Sequence, residues 1–91
     1  MYTIKTTTRF DKDVKLCQKR GLEMDLLKKA IKILEESGTL PPQYHPHKLS
    51  GNYEGCWEAH LKGDWLLVWQ IFEKELTLIL TNTGTHSDLF G

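Results

Sequence analysis

The stretch NYEGCWEAHLKGDWLLVWQIFEKELTLILTN, residues 52–82, decides the fold because its apolar residues follow a period of two. Tyr53, Gly55, Trp57 and Ala59 alternate with polar residues and Cys56 in its first part. A nearly continuous apolar run over 65–72 and a third run over 76–82 follow. Because the connections LKGD and EKE are short enough for hairpins, the pattern predicts a three-stranded antiparallel meander.

The segment before the meander predicts one strand and two helices. Residues 2–7 alternate weakly and contain three threonines, which is typical of a strand. Apolar residues then recur at helical spacing over about 9–20 and 23–37, with Gly21 forming a tight turn between the two helices. A loop with three prolines follows over 38–51. The fold class expected is therefore α+β: a strand, a two-helix hairpin packed on one sheet face, and the meander.

Composition fits a single domain over residues 1–91. Ninety-one residues are too few for two separate hydrophobic cores. No apolar run approaches the roughly 20 residues needed to cross a bilayer, and no continuous apolar stretch opens the chain, so we expect a cytoplasmic protein with no membrane partner. Cys17 and Cys56 lack the spacing of metal ligands, and we interpret them as buried small hydrophobic residues without chemistry.

Charge is unevenly distributed although its sum is zero. Residues 1–48 contain ten Lys/Arg and six Asp/Glu, a net +4, whereas residues 49–91 contain two and six, a net −4. An anionic partner such as RNA would therefore meet the first half, where the outer face of the first helix is basic. A solvated helix face is the simpler alternative. The basic residues of that face are Arg9, Lys12, Lys15, Lys19 and Arg20.

Strand pairing predicts that polar side chains meet at one end of the sheet. A first hairpin turning at 62–63 would place His60 opposite Trp65, and a second turning near 74 would place Asn82 near Leu66. The residues expected at this end are His60, Asp64, Trp65, Asn82 and His86. His47 would lie about 30 Å away, at the other end of a nine-residue strand, unless that strand is shorter or the loop folds back.

Two histidines and an aspartate at one sheet end suit cleavage of RNA without a metal. Imidazole has an unperturbed pKa of about 6.5 and can act as acid or base near neutrality. One group would remove the proton of a 2′-hydroxyl and another would protonate the departing 5′-oxygen. Trp65 and Phe90 could stack on bases or pack in the core.

Two other chemistries use the same residue types. His45 and His47, with His60 or His86, could bind zinc, but the spacing matches no strong zinc pattern, and His45 reads as a surface loop residue. Cys56 could be a nucleophile, but nothing marks it as a low-pKa thiol.

Four segments together resemble a known family. FDKDVKLCQKRG (10–21), HKLSG (47–51), WEAHLKGDWLLVW (57–69) and TGTHSDLFG (83–91) resemble the YafQ branch of the RelE/ParE superfamily of bacterial toxin–antitoxin systems. The resemblance implies the topology predicted above and a ribosome-dependent endoribonuclease that cleaves translated mRNA in the A site. It also implies neutralisation by a cognate antitoxin of the DinJ/RelB-like type, and no cofactor or metal.

The resemblance assigns roles by position. His47, His60, Asp64 and His86 fall on the family's acid–base residues, while Trp65 and Phe90 fall on its active-site aromatics. Asn82 departs from the pattern, because the family has an arginine just before TGTH. Loss of such a charge-assisted contact costs roughly 3 kcal/mol, about a hundredfold in rate. Either Lys48 or Lys62 contacts the phosphate instead, or the protein is slow.

Three functional hypotheses follow. The first is the endoribonuclease toxin, whose basic helix face would attract ribosomal RNA. The second is a non-enzymatic inhibitor of a protein such as DNA gyrase, as the resemblance to ParE implies, because one scaffold can host several activities. The third is a weakened or inactive toxin, which Asn82 suggests. An inhibitor does not need His60, Asp64 and His86 at one sheet end, so this cluster favours the nuclease.

Overall fold

Five strands and three helices make up the fold, which a computed structural model describes over residues 1–91. Two short 3₁₀ turns, Pro42–Tyr44 and Gly51–Tyr53, lie between the second helix and the third strand. The elements in chain order are β1 (Thr3–Thr6), α1 (Thr8–Lys19), α2 (Met24–Ser37), β2 (His47–Lys48), β3 (Trp57–Lys62), β4 (Trp65–Phe72), β5 (Thr77–Thr85) and α3 (His86–Phe90).

The strands form one mixed sheet in the order β1-β5-β4-β3-β2. The predicted meander β3-β4-β5 is antiparallel throughout, as expected from its hairpin-sized connections. β1 pairs with β5 in parallel, which requires the long crossover that α1 and α2 provide. β2 and α3 were not predicted, and both border the candidate site.

The helical hairpin packs against one face of the sheet. Thr7 caps α1 by accepting a hydrogen bond from the Phe10 backbone N–H, and Gly38 ends α2 in the left-handed conformation. The helix stripes meet sheet residues in a common core that includes Phe10, Leu27, Leu34, Leu67, Trp69 and Leu80. The α+β class and the two-helix hairpin are therefore as predicted, with helix bounds shifted by about one residue. No helix is long and apolar enough to cross a membrane.

The opposite face of the sheet is covered only in part. Leu66 and Val68 pack there against Leu89 of α3 and Cys56 of the loop before β3. Both cysteines are buried, and burial raises the pKa of each thiol, which makes them poor nucleophiles. This second face, which we call the α3 face, carries the candidate site.

Candidate active site

One row of residues crosses four strands on the α3 face. His47 pairs with Glu58, Glu58 with Val68, and Val68 with Asn82. Residues directly opposite one another in neighbouring strands point to the same side of a sheet. His47, Glu58 and Asn82 therefore share the face on which Val68 packs against Leu89.

The neighbouring row brings His60 to the turn between β3 and β4. His60 pairs with Leu66, which pairs with Gly84, so His60 lies on the same face. Nδ1 of His60 lies 3.2 Å from the carbonyl oxygen of Gly63 in the turn. A carbonyl only accepts hydrogen bonds, so a neutral ring donates from Nδ1 and leaves Nε2 as a free acceptor.

His86 reaches the same turn from the other side. Its backbone N–H donates to Oδ1 of Asp64 at 3.2 Å, so this carboxylate holds the start of α3 rather than the imidazole. The exposed ring of His86 lies 4.9 Å from the Phe90 ring, centroid to centroid. The turn Gly63–Asp64 thus contacts both His60 and His86. These contacts are made by the ring of His60 and by the backbone of His86, and the convergence of the catalytic side chains stays a prediction.

Asp88 anchors α3 to the rest of the chain. Its carboxylate accepts hydrogen bonds from the Arg20 guanidinium at 2.5 and 3.1 Å and from the Thr85 backbone N–H at 2.9 Å. These donors, Arg20 first, lower the pKa of Asp88 to about 2. Thr85 completes a capping box by accepting from the Asp88 N–H. The ion pair therefore fixes the helix that carries His86 and Phe90.

His47 is held by acceptors at both ring nitrogens. Nδ1 lies 3.0 Å from the His45 carbonyl oxygen, and Nε2 lies 3.1 Å from Oε1 of the buried Glu58. Only a doubly protonated ring donates at both positions. The strand arithmetic placed His47 far from the cluster, but β3 begins at Trp57, five residues later than expected, and β2 pairs with its first residues. The shorter-strand alternative is the one observed.

Sequence reasoning missed Glu58 and His45. Glu58 shares the inward alternation of His60, and a carboxylate buried to 6% exposure needs a partner, which His47 supplies. His45 was expected to be an ordinary loop residue, but its ring lies edge-on to that of His60, with centroids 6.1 Å apart. Its left-handed backbone, with φ of 51°, turns the loop toward β3.

The expected strand register differs from the observed one by small shifts. His60 lies opposite Leu66 rather than Trp65: the turn is at Gly63–Asp64, one residue later than expected, and the extra residue Leu61 in β3 offsets part of that shift. Asn82 lies opposite Val68 rather than Leu66, with a second bulge at Thr81. Asn82 is consequently buried, with 8% exposure, one row further from the turn than expected.

The two aromatic candidates differ in accessibility. Trp65 is 4% exposed, packs with the helices, and donates its indole N–H to Oγ1 of Thr83 at 3.0 Å. In this conformation its ring packs in the core, which is the alternative to base stacking that the sequence left open. Phe90 is 37% exposed and lies beside His86, so its ring remains available to a base.

The two lysines considered as substitutes for the family arginine make their contacts away from Asn82. Lys48 pairs with Trp57 and lies over its ring at 5.7 Å, on the helix side of the sheet. Lys62 contacts Glu23 before α2, also on that side. In these contacts both lysines lie on the side of the sheet opposite to Asn82. On the basic face of α1, Arg9 pairs with Asp13 and Arg20 with Asp88, which leaves Lys12, Lys15 and Lys19 without an ion pair.

The histidines considered as zinc ligands are not arranged as a metal site. His45 and His60 are neighbours, but Nε2 of His47 is directed at Glu58 and His86 lies across the turn. No group of three or more His, Cys, Asp or Glu side chains is arranged to hold a metal ion. The residues therefore do not form a three-ligand site in this conformation.

The sequence and the fold match known toxins. Residues 2–91 match the family described as bacterial toxin of type II toxin–antitoxin system, YafQ. The mRNA interferase toxin YafQ of Escherichia coli K12 is 38% identical over 89 residues, covering 97% of this chain and 95% of that protein. The E. coli DinJ–YafQ complex gives a TM-score of 0.89 at 37% identity, covering 100% of both chains. A metal-bound toxin from Helicobacter pylori gives 0.89 at 44%, covering 99% of this chain and 100% of that one.

The mixed sheet with its helical hairpin and C-terminal histidine helix thus defines a toxin of the RelE-like fold. The chain belongs to the YafQ family of type II toxin–antitoxin toxins.

Proposed function

We propose that this protein is a ribosome-dependent, metal-independent endoribonuclease of the mRNA interferase type that cleaves translated mRNA in the ribosomal A site. The observation that carries the proposal is the contact of both His60 and His86 with the turn Gly63–Asp64. Its E. coli relative is named an mRNA interferase toxin. Residues 1–91 would act as one domain in the cytoplasm.

The reaction we propose is transesterification within the RNA chain. A base takes the proton of a 2′-hydroxyl, and the 2′-oxygen attacks the adjacent phosphorus. The bond to the 5′-oxygen then breaks, and an acid gives that oxygen a proton, leaving a 2′,3′-cyclic phosphate. Acid and base suffice for the proton transfers, and each contributes typically 10²- to 10⁴-fold.

The hydrogen bonds favour particular roles. His60 has Nε2 free as an acceptor, which suits the base. His86 has an exposed ring at the opposite side of the turn, which suits the acid that protonates the leaving oxygen. Asp64 would act as a positioning residue for His86. His47, held by Glu58 and the His45 carbonyl, would be a further acid–base residue on the α3 face.

Asn82 supports a slow enzyme as a second candidate. Lys48 contacts Trp57 and Lys62 contacts Glu23, on the side of the sheet away from the α3 face, which supports an enzyme that lacks the charge of the family arginine. A carboxamide offers hydrogen bonds without charge. Restoring the charge with Asn82→Arg should therefore raise the cleavage rate, although the site is buried and the variant must first be shown to fold.

The partners follow from the same reasoning. We infer that a cognate antitoxin of the DinJ/RelB-like type neutralises the toxin, since the related E. coli toxin forms a complex with DinJ. The ribosome and mRNA would be the other partners. Lys12, Lys15 and Lys19 on α1 are the basic residues left available for ribosomal RNA.

Primer extension on a reporter mRNA in a purified translation system tests the proposal. The wild-type protein should cleave only with translating ribosomes, and His86→Ala should abolish the cuts. Ser87→Ala is the matched control, because Ser87 is an exposed neighbour on the same helix. It should cleave normally.

Two outcomes would contradict the proposal. Absence of cleavage together with growth arrest on expression would favour a ParE-like inhibitor of a protein target. Absence of both, with antitoxin binding retained, would favour an inactive toxin.

A further inference from the structure

We propose that a cleft beside α3 binds one unstacked base of the RNA substrate and contributes to sequence preference. The proposal rests on the proposed nuclease function and extends it to a residue set outside the acid–base cluster. The cleft has a volume of about 560 Å³ and opens between the turn Gly51–Tyr53 and α3. Its lining residues are Leu49, Ser50, Asn52, Tyr53, Leu89 and Phe90.

The walls of the cleft are apolar and aromatic. The Phe90 ring packs edge-on to the Tyr53 ring, with centroids 5.0 Å apart and planes at 72°. The Tyr53 hydroxyl donates to the Leu89 carbonyl at 2.9 Å, which fixes this ring against α3. Phe90 keeps more than a third of its surface exposed. A fixed aromatic wall with an exposed ring is what a planar base stacks against.

The rim of the cleft offers unengaged polar groups. Ser50 and Asn52 are exposed, and no hydrogen bond within the chain ties down the side chain of either residue. A carboxamide presents two donors and an acceptor side by side, the arrangement with which Asn pairs to the edge of a base. Asn52 is therefore the residue best suited to distinguish one base from another.

The cleft is continuous with the acid–base cluster. The Phe90 ring touches the cleft on one side and lies 4.9 Å from the His86 ring on the other. A nucleotide whose phosphate is at His86 can thus place its base, or the base next to it, in the cleft. Arg9 donates to the Asp88 carbonyl at 3.4 Å, which adds a cation beside α3 for a neighbouring phosphate.

Binding of short RNA tests the cleft without requiring cleavage. The probe is a set of trinucleotides with 2′-O-methyl ribose, in which the attacking hydroxyl is blocked, titrated into ¹⁵N-labelled protein. We expect saturable shifts of the Asn52 side-chain NH₂ and of the Tyr53 and Phe90 backbone signals. Affinity should fall about fivefold in Asn52→Ala, the loss of one neutral hydrogen bond, and about tenfold in Phe90→Ala.

Matched controls separate the cleft from the rest of the surface. Gln43→Ala removes an exposed carboxamide in the other 3₁₀ turn, and Phe72→Ala removes a comparably exposed ring, 43% against 37%, at the β4–β5 hairpin. Both should bind like the wild type. The proposal is overturned if the shifts map elsewhere, or if Asn52→Ala and Phe90→Ala bind all trinucleotides as well as these controls do.

Cut positions supply the second readout. In the primer-extension assay, Asn52→Ala should cleave the reporter at more positions than the wild type. An unchanged cut pattern would overturn the role in sequence preference. Failure of the nuclease proposal is distinguishable, because the wild type would then give no cuts while the trinucleotides still report on the cleft.

Discussion

Gly84 shows at the scale of one residue why the end of β5 requires glycine. Its φ of +155° is uncommon for residues with a side chain, and an added Cβ would lie 2.9 Å from Oδ2 and 3.1 Å from Cβ of Asp88. Because Asp88 is held by Arg20 and Thr85, it cannot move away freely. We expect Gly84→Ala to lower the free energy of unfolding by about 1–3 kcal/mol, measured by urea denaturation.

Gly55→Ala is the matched control for this prediction. Gly55 also has a positive φ, +90°, but a Cβ there meets no atom within 4 Å. Its substitution therefore reports backbone strain alone. If Gly84→Ala is no more destabilising than Gly55→Ala, the contact with Asp88 does not constrain α3.

The contact between His47 and Glu58 leads to a second prediction at the scale of single residues. Glu58 is buried and His47 is half exposed, so removing the histidine leaves a carboxylate without its partner. A double-mutant cycle with His47→Ala and Glu58→Ala, read by urea denaturation, should give a coupling of about 1 kcal/mol near neutral pH. Additive effects of the two substitutions would show that the side chains do not interact.

At the scale of elements, α3 depends on the contact between Asp88 and Arg20. We expect Arg20→Ala to reduce cleavage about tenfold, because it loosens the helix carrying His86 and Phe90. Global stability should change little, since both side chains are partly exposed. Primer extension and urea denaturation measure the two effects.

Lys19→Ala controls for the loss of a basic residue from the same end of α1. Lys19 takes part in no ion pair, so its removal should reduce cleavage less than the removal of Arg20 does. Equal losses in Lys19→Ala and Arg20→Ala would assign the effect of Arg20 to ribosome attraction instead of to α3.

The same contact makes the attachment of α3 pH-dependent. The pKa of Asp88 is about 2 in the fold, against about 3.9 for an unperturbed aspartate. A lowered carboxyl pKa stabilises the fold above pH 4, and this contribution is lost as the pH falls from about 4 to 2. It amounts to about 1 kcal/mol after allowance for solvent screening. Carboxyl NMR titration should show Asp88 near 2 in the wild type and higher in Arg20→Ala; a wild-type value near 4 would contradict the assignment.

The long elements could be predicted from the sequence, and the short ones could not. Periods of two and 3.6 residues identify β3 to β5 and both long helices because each repeats over several turns or pairs. β2 has two residues and α3 has five, which is too short for a period, and both depend on tertiary contacts with Glu58 and Asp88. The bulges at Leu61 and Thr81 shift the register without disturbing local alternation enough to be seen.

The same physical reasons explain which parts of the candidate site could be predicted from the sequence. His60, Asp64 and His86 were predicted to converge because hairpin length alone brings them together. The sequence left base stacking and core packing open for Trp65, because a tryptophan in a strand looks the same in sequence whether it packs inward or not. In the fold it belongs to the core cluster that includes Phe10 and Cys17. Glu58 was missed because its partner, His47, lies on β2, a strand of two residues that the sequence does not predict.

At the scale of the whole molecule, each of the two long helices carries its own group of three exposed lysines. Lys12, Lys15 and Lys19 lie on α1, and Lys28, Lys29 and Lys32 lie on α2, all of them exposed. We expect reversal of the three α1 lysines to glutamate to weaken ribosome binding and reduce its salt dependence, with the fold intact. Sedimentation with ribosomes at several salt concentrations measures this.

Reversal of the three α2 lysines is the control, because it changes net charge by the same amount on another face. It should weaken binding less. Unchanged ribosome affinity of the α1 variant at moderate salt would remove the proposed role of that face.

The pairing of β1 with β5 has a consequence for how the molecule becomes active. The helices and the hairpin form from local contacts, but joining the first strand to the last brings together residues such as Thr7 and Thr81, which are 74 positions apart. Contacts this distant form slowly, because the loop entropy must be overcome before they stabilise anything. Arg9 and Arg20, which contact Asp88 of α3, belong to the segment between β1 and β5, so α3 gains these contacts only when the helical hairpin docks on the sheet. We therefore expect a partly folded chain to cleave poorly, because the helix that carries His86 is held in place in the same step that finishes the fold.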